Sequence, residues 1–345
     1  MKRIAILLFV IITAVALTAC GTSAGSGPAN SGGQDSGTTV QTKYMTIGSG
    51  AATTAIYPYW VAIGKAISSV YPEYEFTVSE TQGAMDIANR IRSGEVDFGN
   101  GVASSDFENY MGTGAFEGDP NKDSRVLWYY GMTVIEVLVS QESGITTFSE
   151  LDGQRYNFGG VGTSMAQITE QIIDISGAKV LPYESNKNDA VDAYGNKQIV
   201  GLAVSGSIPN STHLQMASVI PVRILPVSDE LMAKCLDAMP FLVPGVIKAG
   251  EYDDLTEDVR TVRVMQGCQS SAAVSQEDGY KFIKAVYGDG KSVWAEITPA
   301  YAAEDEVELL LNSPIPLHAG AVQWLVENGR DVPAELIPPE YQPVK

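Results

Sequence analysis

The chain has 345 residues, 45% of them hydrophobic and 18% charged, with a formal net charge of −19. That acidity argues against a nucleic-acid binder, because a phosphate backbone needs Lys and Arg to neutralise it. His213 and His318 are the only histidines and no Cys-x-x-Cys occurs, so a structural metal site has almost no support.

Lys2 and Arg3 open the chain, and Ile4 to Leu17 is an almost unbroken apolar run. It is shorter than the roughly 20 residues that span a bilayer, and so reads as a secretory signal, expected over residues 1–19. Leu17-Thr18-Ala19-Cys20 resembles a bacterial lipobox, in which Cys20 is lipidated (palmitate) and becomes the mature N-terminus. The alternative is an ordinary signal cleaved nearby. Residues 20–43 are mostly Gly, Ser, Thr, Ala, Asn, Gln and Pro, the composition of a flexible leash. Gly21-Thr22-Ser23-Ala24-Gly25 matches a hydrolase elbow only by low complexity, with no strand before it or helix after it.

From Tyr44 the pattern alternates short apolar runs with helical stretches, the sign of α/β construction. Strands are expected over 44–47, 75–79 and 96–100, with helices over 58–70 and 84–92. A second unit follows: a strand over 134–139, a helical turn at 148–153, a strand over 155–158, a helix over 165–175 and a strand over 199–204. Each unit opens with strand, glycine-rich loop and helix, at Gly48 to Thr54 and at Gly159 to Ser164. Two lobes with a cleft between them are expected over 44–345, lobe I taking about 44–134 and 270–345 and lobe II about 135–269. Ligand crevices in α/β sheets lie beyond the carboxyl ends of the strands. A glycine turn at a helix N-terminus offers N–H groups to an anion, although such turns also occur as plain βα connections. Trp128-Tyr129-Tyr130 reads mainly as core, His318 as a structural or capping residue and His213 as part of a solvated helix. Cys235 and Cys268 are left as either a disulfide or a reduced, buried pair.

A series of motifs carries a resemblance: Ile47-Gly48-Ser49-Gly50, Tyr57-Pro58, Thr81-Gln82-Gly83, Ser93-Gly94-Glu95-Val96-Asp97-Phe98-Gly99, Gly159 to Gly162, Gly206-Ser207-Ile208-Pro209, Pro240-Phe241-Leu242-Val243-Pro244 and Pro316-Leu317-His318-Ala319-Gly320-Ala321. Their order is similar to that of the TAXI group of solute receptors, which serve tripartite ATP-independent periplasmic (TRAP) transporters. The resemblance implies a type II periplasmic-binding-protein fold, a small organic anion such as glutamate or 2-oxoglutarate clamped between lobes, and delivery to the large and small membrane subunits of a sodium-coupled transporter. It implies no cofactor and no catalysis, in a monomer held at a bacterial membrane.

This chain departs from the pattern in the cleft, with Gln82-Gly83-Ala84, Val102-Ala103-Ser104, Ser164-Met165-Ala166 and Thr53-Thr54 at positions that are often more polar or glycine-rich. A site missing polar partners discriminates against the ligand that needs them, so a less polar or differently shaped carboxylate is expected. The candidate binding residues are Ser49, Gly50, Thr53, Thr54, Tyr57, Gly83, Ala84, Ser104, Ser105, Tyr130, Gly162, Thr163, Ser164 and Ser207. Rival readings are a receptor of the same fold for an ABC importer or sensor kinase, a secreted hydrolase, and an adhesive lipoprotein. The hydrolase lacks a nucleophile beside a base.

Overall fold

The computed structural model describes residues 41–52, 54, 56–161 and 163–344. The signal segment, Cys20 and the leash up to residue 40 lie outside the described residues, as do Thr53 and Gly162.

In chain order the first lobe is β1 (Lys43–Ser49), α1 (Ile56–Val70), β2 (Tyr74–Glu80), α2 (Ala84–Arg92), β3 (Phe98–Val102) and α3 (Ala103–Met111). Helix α1 forms because Tyr59, Trp60, Ile63, Ala66 and Ile67 recur at helical spacing and are all buried. Pro72 follows closely and cannot extend it. Helix α2 buries Ile87, Ala88 and Ile91, with Asp86 in its first turn and Arg90 and Arg92 in its last, matching the helix dipole. Strand β3 begins two residues later than expected, because Val96 packs beneath α2 with Ile87 and Ile91. The Asp97 carboxylate meanwhile accepts the Thr46 N–H at 2.7 Å.

The chain then enters β4 (Ser124–Ser140), a strand of 17 residues buried along nearly its whole length. The sequence suggested only its last third. Gly131 lies inside the strand, where the Tyr301 ring packs at the place a Cβ would take. The second lobe follows with β5 (Arg155–Asn157), α4 (Ser164–Ile175), β6 (Leu181–Pro182), α5 (Lys187–Gly195), β7 (Gly201–Gly206), α6 (Ser211–Val219), β8 (Val222–Ile224), α7 (Asp229–Ala238) and β9 (Leu242–Ile247). Strand β10 (Val259–Ser271) returns to the first lobe, where α8 (Gln276–Tyr287), α9 (Lys291–Ala295), α10 (Pro299–Ala302), α11 (Glu306–Leu311) and α12 (Ala319–Glu327) close the chain.

The strand order is β2-β1-β3-β10-β4-β7-β5-β6, with β8 on β4 and β9 on β10. Strands β1, β2 and β3 are mutually parallel, as are β5, β6 and β7. Strands β4 and β10 run antiparallel to each other from Ser124↔Ser271 to Ile135↔Val262 and belong to both halves. The fold is therefore two α/β lobes joined by two long strands, the type II periplasmic-binding-protein arrangement. Two thiols and two imidazoles fall into place with it. Cys235 on α7 and Cys268 on β10 are free and buried, and burial pushes the Cys235 thiol up to about 11. His318 caps α12, its Nδ1 accepting the Gly320 N–H at 3.1 Å while Nε2 meets the Val274 carbonyl at 2.8 Å. His213 is not on a solvated face: it is 2% exposed, turned inward from α6.

Candidate functional site

Register shows where the two lobes meet. Strand β3 runs antiparallel to β10 and ends with Val102 opposite Gln266, which pairs with Gly131 on β4. Strand β7 runs antiparallel to β4 from the other side and ends with Gly206 opposite Val134. The carboxyl ends of both parallel sets thus point at one short stretch of the joining strands. Gly131 and Val134 are three residues apart, roughly 10 Å along a strand. The stretches that follow these parallel strands in sequence, 50–55, 81–83, 158–163 and 207–210, contain no Lys or Arg.

The candidate residues fall into distinct situations. Ser49 and Ser104 are buried, and neither hydroxyl has a hydrogen-bond partner among the described residues. Ser105 is buried but its hydroxyl donates to the Val102 carbonyl at 2.9 Å. Thr54 is exposed and its hydroxyl donates to the Ala51 carbonyl at 2.6 Å. Thr163 caps α4, accepting the Ala166 N–H at 3.1 Å. Ser164, Gly50 and Tyr57 are half-buried, and Ser207 is exposed in the loop after β7. Gly83 precedes α2 with φ of 119°, a conformation that favours glycine. The carbonyl of Ala84 accepts the Gln269 side-chain amide at 2.8 Å. Tyr130 is buried, with its hydroxyl on the Asn100 side chain at 2.6 Å.

The loops are less open to an anion than their glycines suggest. The Ala52 N–H is taken by the Glu80 carboxylate at 2.8 Å, and the Thr54 N–H by Ala51 O at 2.9 Å. The Gln82 N–H goes to Asp86 at 3.0 Å, and that bond holds the Asp86 carboxyl below its usual range. Several of the N–H groups expected to bind a ligand therefore already have partners. Side chains on strands supply other polar groups at the crossing. The Gln266 amide donates to the Thr133 hydroxyl at 2.9 Å. Asn100 sits on β3 two residues before its end, flanked by glycines. A Cβ at Gly99 would meet the Gly48 backbone, so this glycine is needed for β1 and β3 to approach. Asn100, Thr133, Gln266 and Tyr301 were missed by sequence reasoning. Only Asn100 had a local signal, a lone amide between glycines at a strand end; the others are assembled by long-range register.

Two buried acids lie near the crossing. Asp106, in the first turn of α3, has neither carboxylate oxygen partnered among the described residues, and burial pushes it well above the usual carboxylate range. Glu136 on β4 is fully buried, with His213 Nδ1 at 2.6 Å and the Tyr252 hydroxyl donating at 2.9 Å. The same Tyr252 hydroxyl accepts the Asn210 N–H at 2.8 Å, and the Tyr252 ring stacks on His213 at 3.7 Å. Burial, with Glu136 beside it, pushes the Tyr252 phenol up. This cluster fastens the β7–α6 loop to the joining strand.

Fold and converging strand ends together define the architecture of a hinged, two-lobed periplasmic binding protein. Residues 47–329 match the NMT1-like family, and the chain belongs to that family. Solved structures with a similar outline include the alkanesulfonate-binding protein SsuA from Xanthomonas axonopodis pv. citri bound to MOPS, 16% identical, covering 86% of this chain and 97% of that one at a TM-score of 0.40. The periplasmic aliphatic sulphonate binding protein SsuA from Escherichia coli is 13% identical, with 88% and 93% covered and a TM-score of 0.44. A TRAP periplasmic solute binding protein from Sulfitobacter sp. with bound β-D-galacturonate is 10% identical, with 84% and 88% covered and a TM-score of 0.42. At these identities and scores, neither ligand nor transporter type follows from the likeness.

Proposed function

We propose that this protein is an extracytoplasmic, non-enzymatic receptor that clasps a small organic anion between its lobes and delivers it to a membrane transporter. The observation that carries the reading is the convergence of both sets of strand ends on Gly131–Val134 of the joining strands. Ligand bound there touches both lobes at once, and so favours the closed form by its better contacts in it. Among the described residues no helix is long and apolar enough to cross a membrane. The tether in this reading is the lipobox at Cys20. A leash raises the local concentration of receptor at the transporter.

The order of sequence motifs favours a sodium-coupled TRAP transporter with large and small membrane subunits as the recipient. The ligand class is a carboxylate, with Ser49 and Ser104 as hydroxyls that have no partner among the described residues, and Gly50, Thr54, Tyr57, Gly83, Ala84, Ser105, Tyr130, Thr163, Ser164 and Ser207 as further candidates; the candidates Thr53 and Gly162 lie outside the described residues. Native mass spectrometry of the purified chain, followed by thermal shifts with a panel of mono- and dicarboxylates, tests the reading. A bound acid and a raised midpoint support it, since ligand on the native state alone adds stability. No bound solute and no shift with any acid would overturn it. Uptake that needs a sodium gradient identifies the TRAP partner, and uptake that needs ATP points to an importer of the other type.

A further inference from the structure

We infer that Asn100 is the side-chain donor with which the first lobe selects a solute bearing a carboxylate or carbonyl oxygen. The inference rests on the receptor reading above and adds a specificity-determining residue to it. Asn100 Oδ1 receives two donors, the Tyr130 hydroxyl at 2.6 Å and the Trp60 Nε1–H at 3.4 Å. An indole nitrogen can only donate, so the atom facing it is the amide oxygen and the orientation of the amide is fixed. The Nδ2 group, with two hydrogens, is then turned away from that pair and has no partner among the described side chains. Both orienting rings are buried and braced: Tyr59 lies 4.4 Å from Tyr130 and 5.2 Å from Trp60 between ring centroids. Asn100 itself is half-buried, so its amide is held yet reachable.

Its position matches the task. Ile47 pairs with Phe98 and Gly48 with Gly99, so the same register places Ser49 beside Asn100 at the strand ends. Ser49 is fully buried, and its hydroxyl has no partner among the described residues. The backbone donors of the neighbouring loop are partly occupied, Ala52 N–H by Glu80 and Thr54 N–H by Ala51. With no Lys or Arg in the four loops, an oriented amide is, beside the Ser49 and Ser104 hydroxyls, a donor this lobe has to offer. A bulge contributes: β4 carries an extra residue at Tyr130, between the pairs Gly267↔Tyr129 and Gln266↔Gly131. Bulges re-aim side chains, and here the re-aimed side chain is the one that locks Asn100.

The test uses the full chain purified in detergent, with succinate, glutarate, 2-oxoglutarate and glutamate as probes in isothermal titration. For any probe that the wild type binds, Asn100→Ala is expected to weaken binding about 10-fold, and Asn100→Asp about 100-fold, because it puts a carboxylate against an anion. Tyr130→Phe keeps the ring but frees the amide, and is expected to weaken binding about 3-fold or more with the order of preference among the four acids changed. A purely structural role would lower the unfolding midpoint without changing that order. If Asn100→Ala and Asn100→Asp both bind within threefold of wild type, the inference is overturned while the receptor reading stands. Should the wild type bind none of the four acids and carry no acid on purification, both fall. Where Asn100→Asp does not fold, Asn100→Ala and Tyr130→Phe decide.

Discussion

The two lobes present the same kind of strand end to the crossing but hold it in different ways. In the first lobe the support is aromatic. Phe98 packs among Phe76, Trp128 and Phe282 with ring centroids 5.3–5.9 Å away, and Trp60 and Tyr130 brace the polar tip at Asn100. In the second lobe the support is a buried polar cluster, Glu136 with His213 and Tyr252, tied to the loop at Asn210. Apolar packing is non-directional and tolerates swaps of equal volume. A buried hydrogen-bonded cluster does not, because removing one member orphans the others.

The largest effects separate these two supports. Phe98→Ala should cost about 3–5 kcal/mol in urea unfolding, and Glu136→Ala a similar amount, about 3–5 kcal/mol, by stranding buried partners. The contrast sharpens when each is replaced by leucine, an apolar side chain of intermediate size. Phe98→Leu should cost under about 1.5 kcal/mol, whereas Glu136→Leu should still cost about 2 kcal/mol or more, from the orphaned His213 and Tyr252. Equal tolerance of both substitutions would erase the distinction.

The next effect is acid sensitivity in the first lobe. Burial lowers His318 to about 4, so the folded chain keeps it neutral while an unfolded histidine protonates near 6.5. Between those values the unfolded state binds the extra proton. Stability is therefore complete above about pH 6.5 and falls by about 3 kcal/mol as pH drops towards 4. His318→Asn, which retains a good N-cap, should flatten the stability profile over that window; an unchanged slope would refute the assignment.

Smaller still is the tail contact at Glu340. Burial opposes its ionisation, but hydrogen bonds from the buried Arg125, at 2.7 and 2.9 Å, outweigh that and hold its carboxyl below the usual range. This contribution is present above about pH 4.3 and is lost as pH falls through the lowered folded value. Glu340→Gln should cost about 1–2 kcal/mol at neutral pH. On α6, Leu214 is 50% exposed, so Leu214→Ser should change stability by less than about 0.5 kcal/mol. A larger loss would mean that the outer side of α6 is also part of the support.

Much of the fold was legible locally. The apolar spacing of Tyr59, Trp60, Ile63 and Ile67, the punctuation at Pro72 and the cap at His318 each reflect chemistry within a few residues of themselves. Ser49 could be nominated because it ends a strand beside glycines, Ser104 because it follows the third strand, and Tyr130 because it precedes the expected strand over 134–139. The occupied loop N–H groups could not be read, since Glu80 and Ala52 are brought together only by the pairing of β1 with β2. Nor could the inward turn of His213, which depends on Glu136 lying 77 residues earlier on the joining strand.

The sequence by itself determined the alternation of strands and helices and the two glycine-rich loops, because hydrophobic period and turn chemistry act over short range. Only the tertiary structure decided which polar groups meet at the crossing. Long-range register aligned Val102, Gln266 and Gly131, placed Gly206 against Val134, and set Trp60 and Tyr130 on the oxygen of Asn100. Pairing partners from tens to more than a hundred residues apart follow from the packing of whole faces, and no local pattern encodes which amide they leave turned outward.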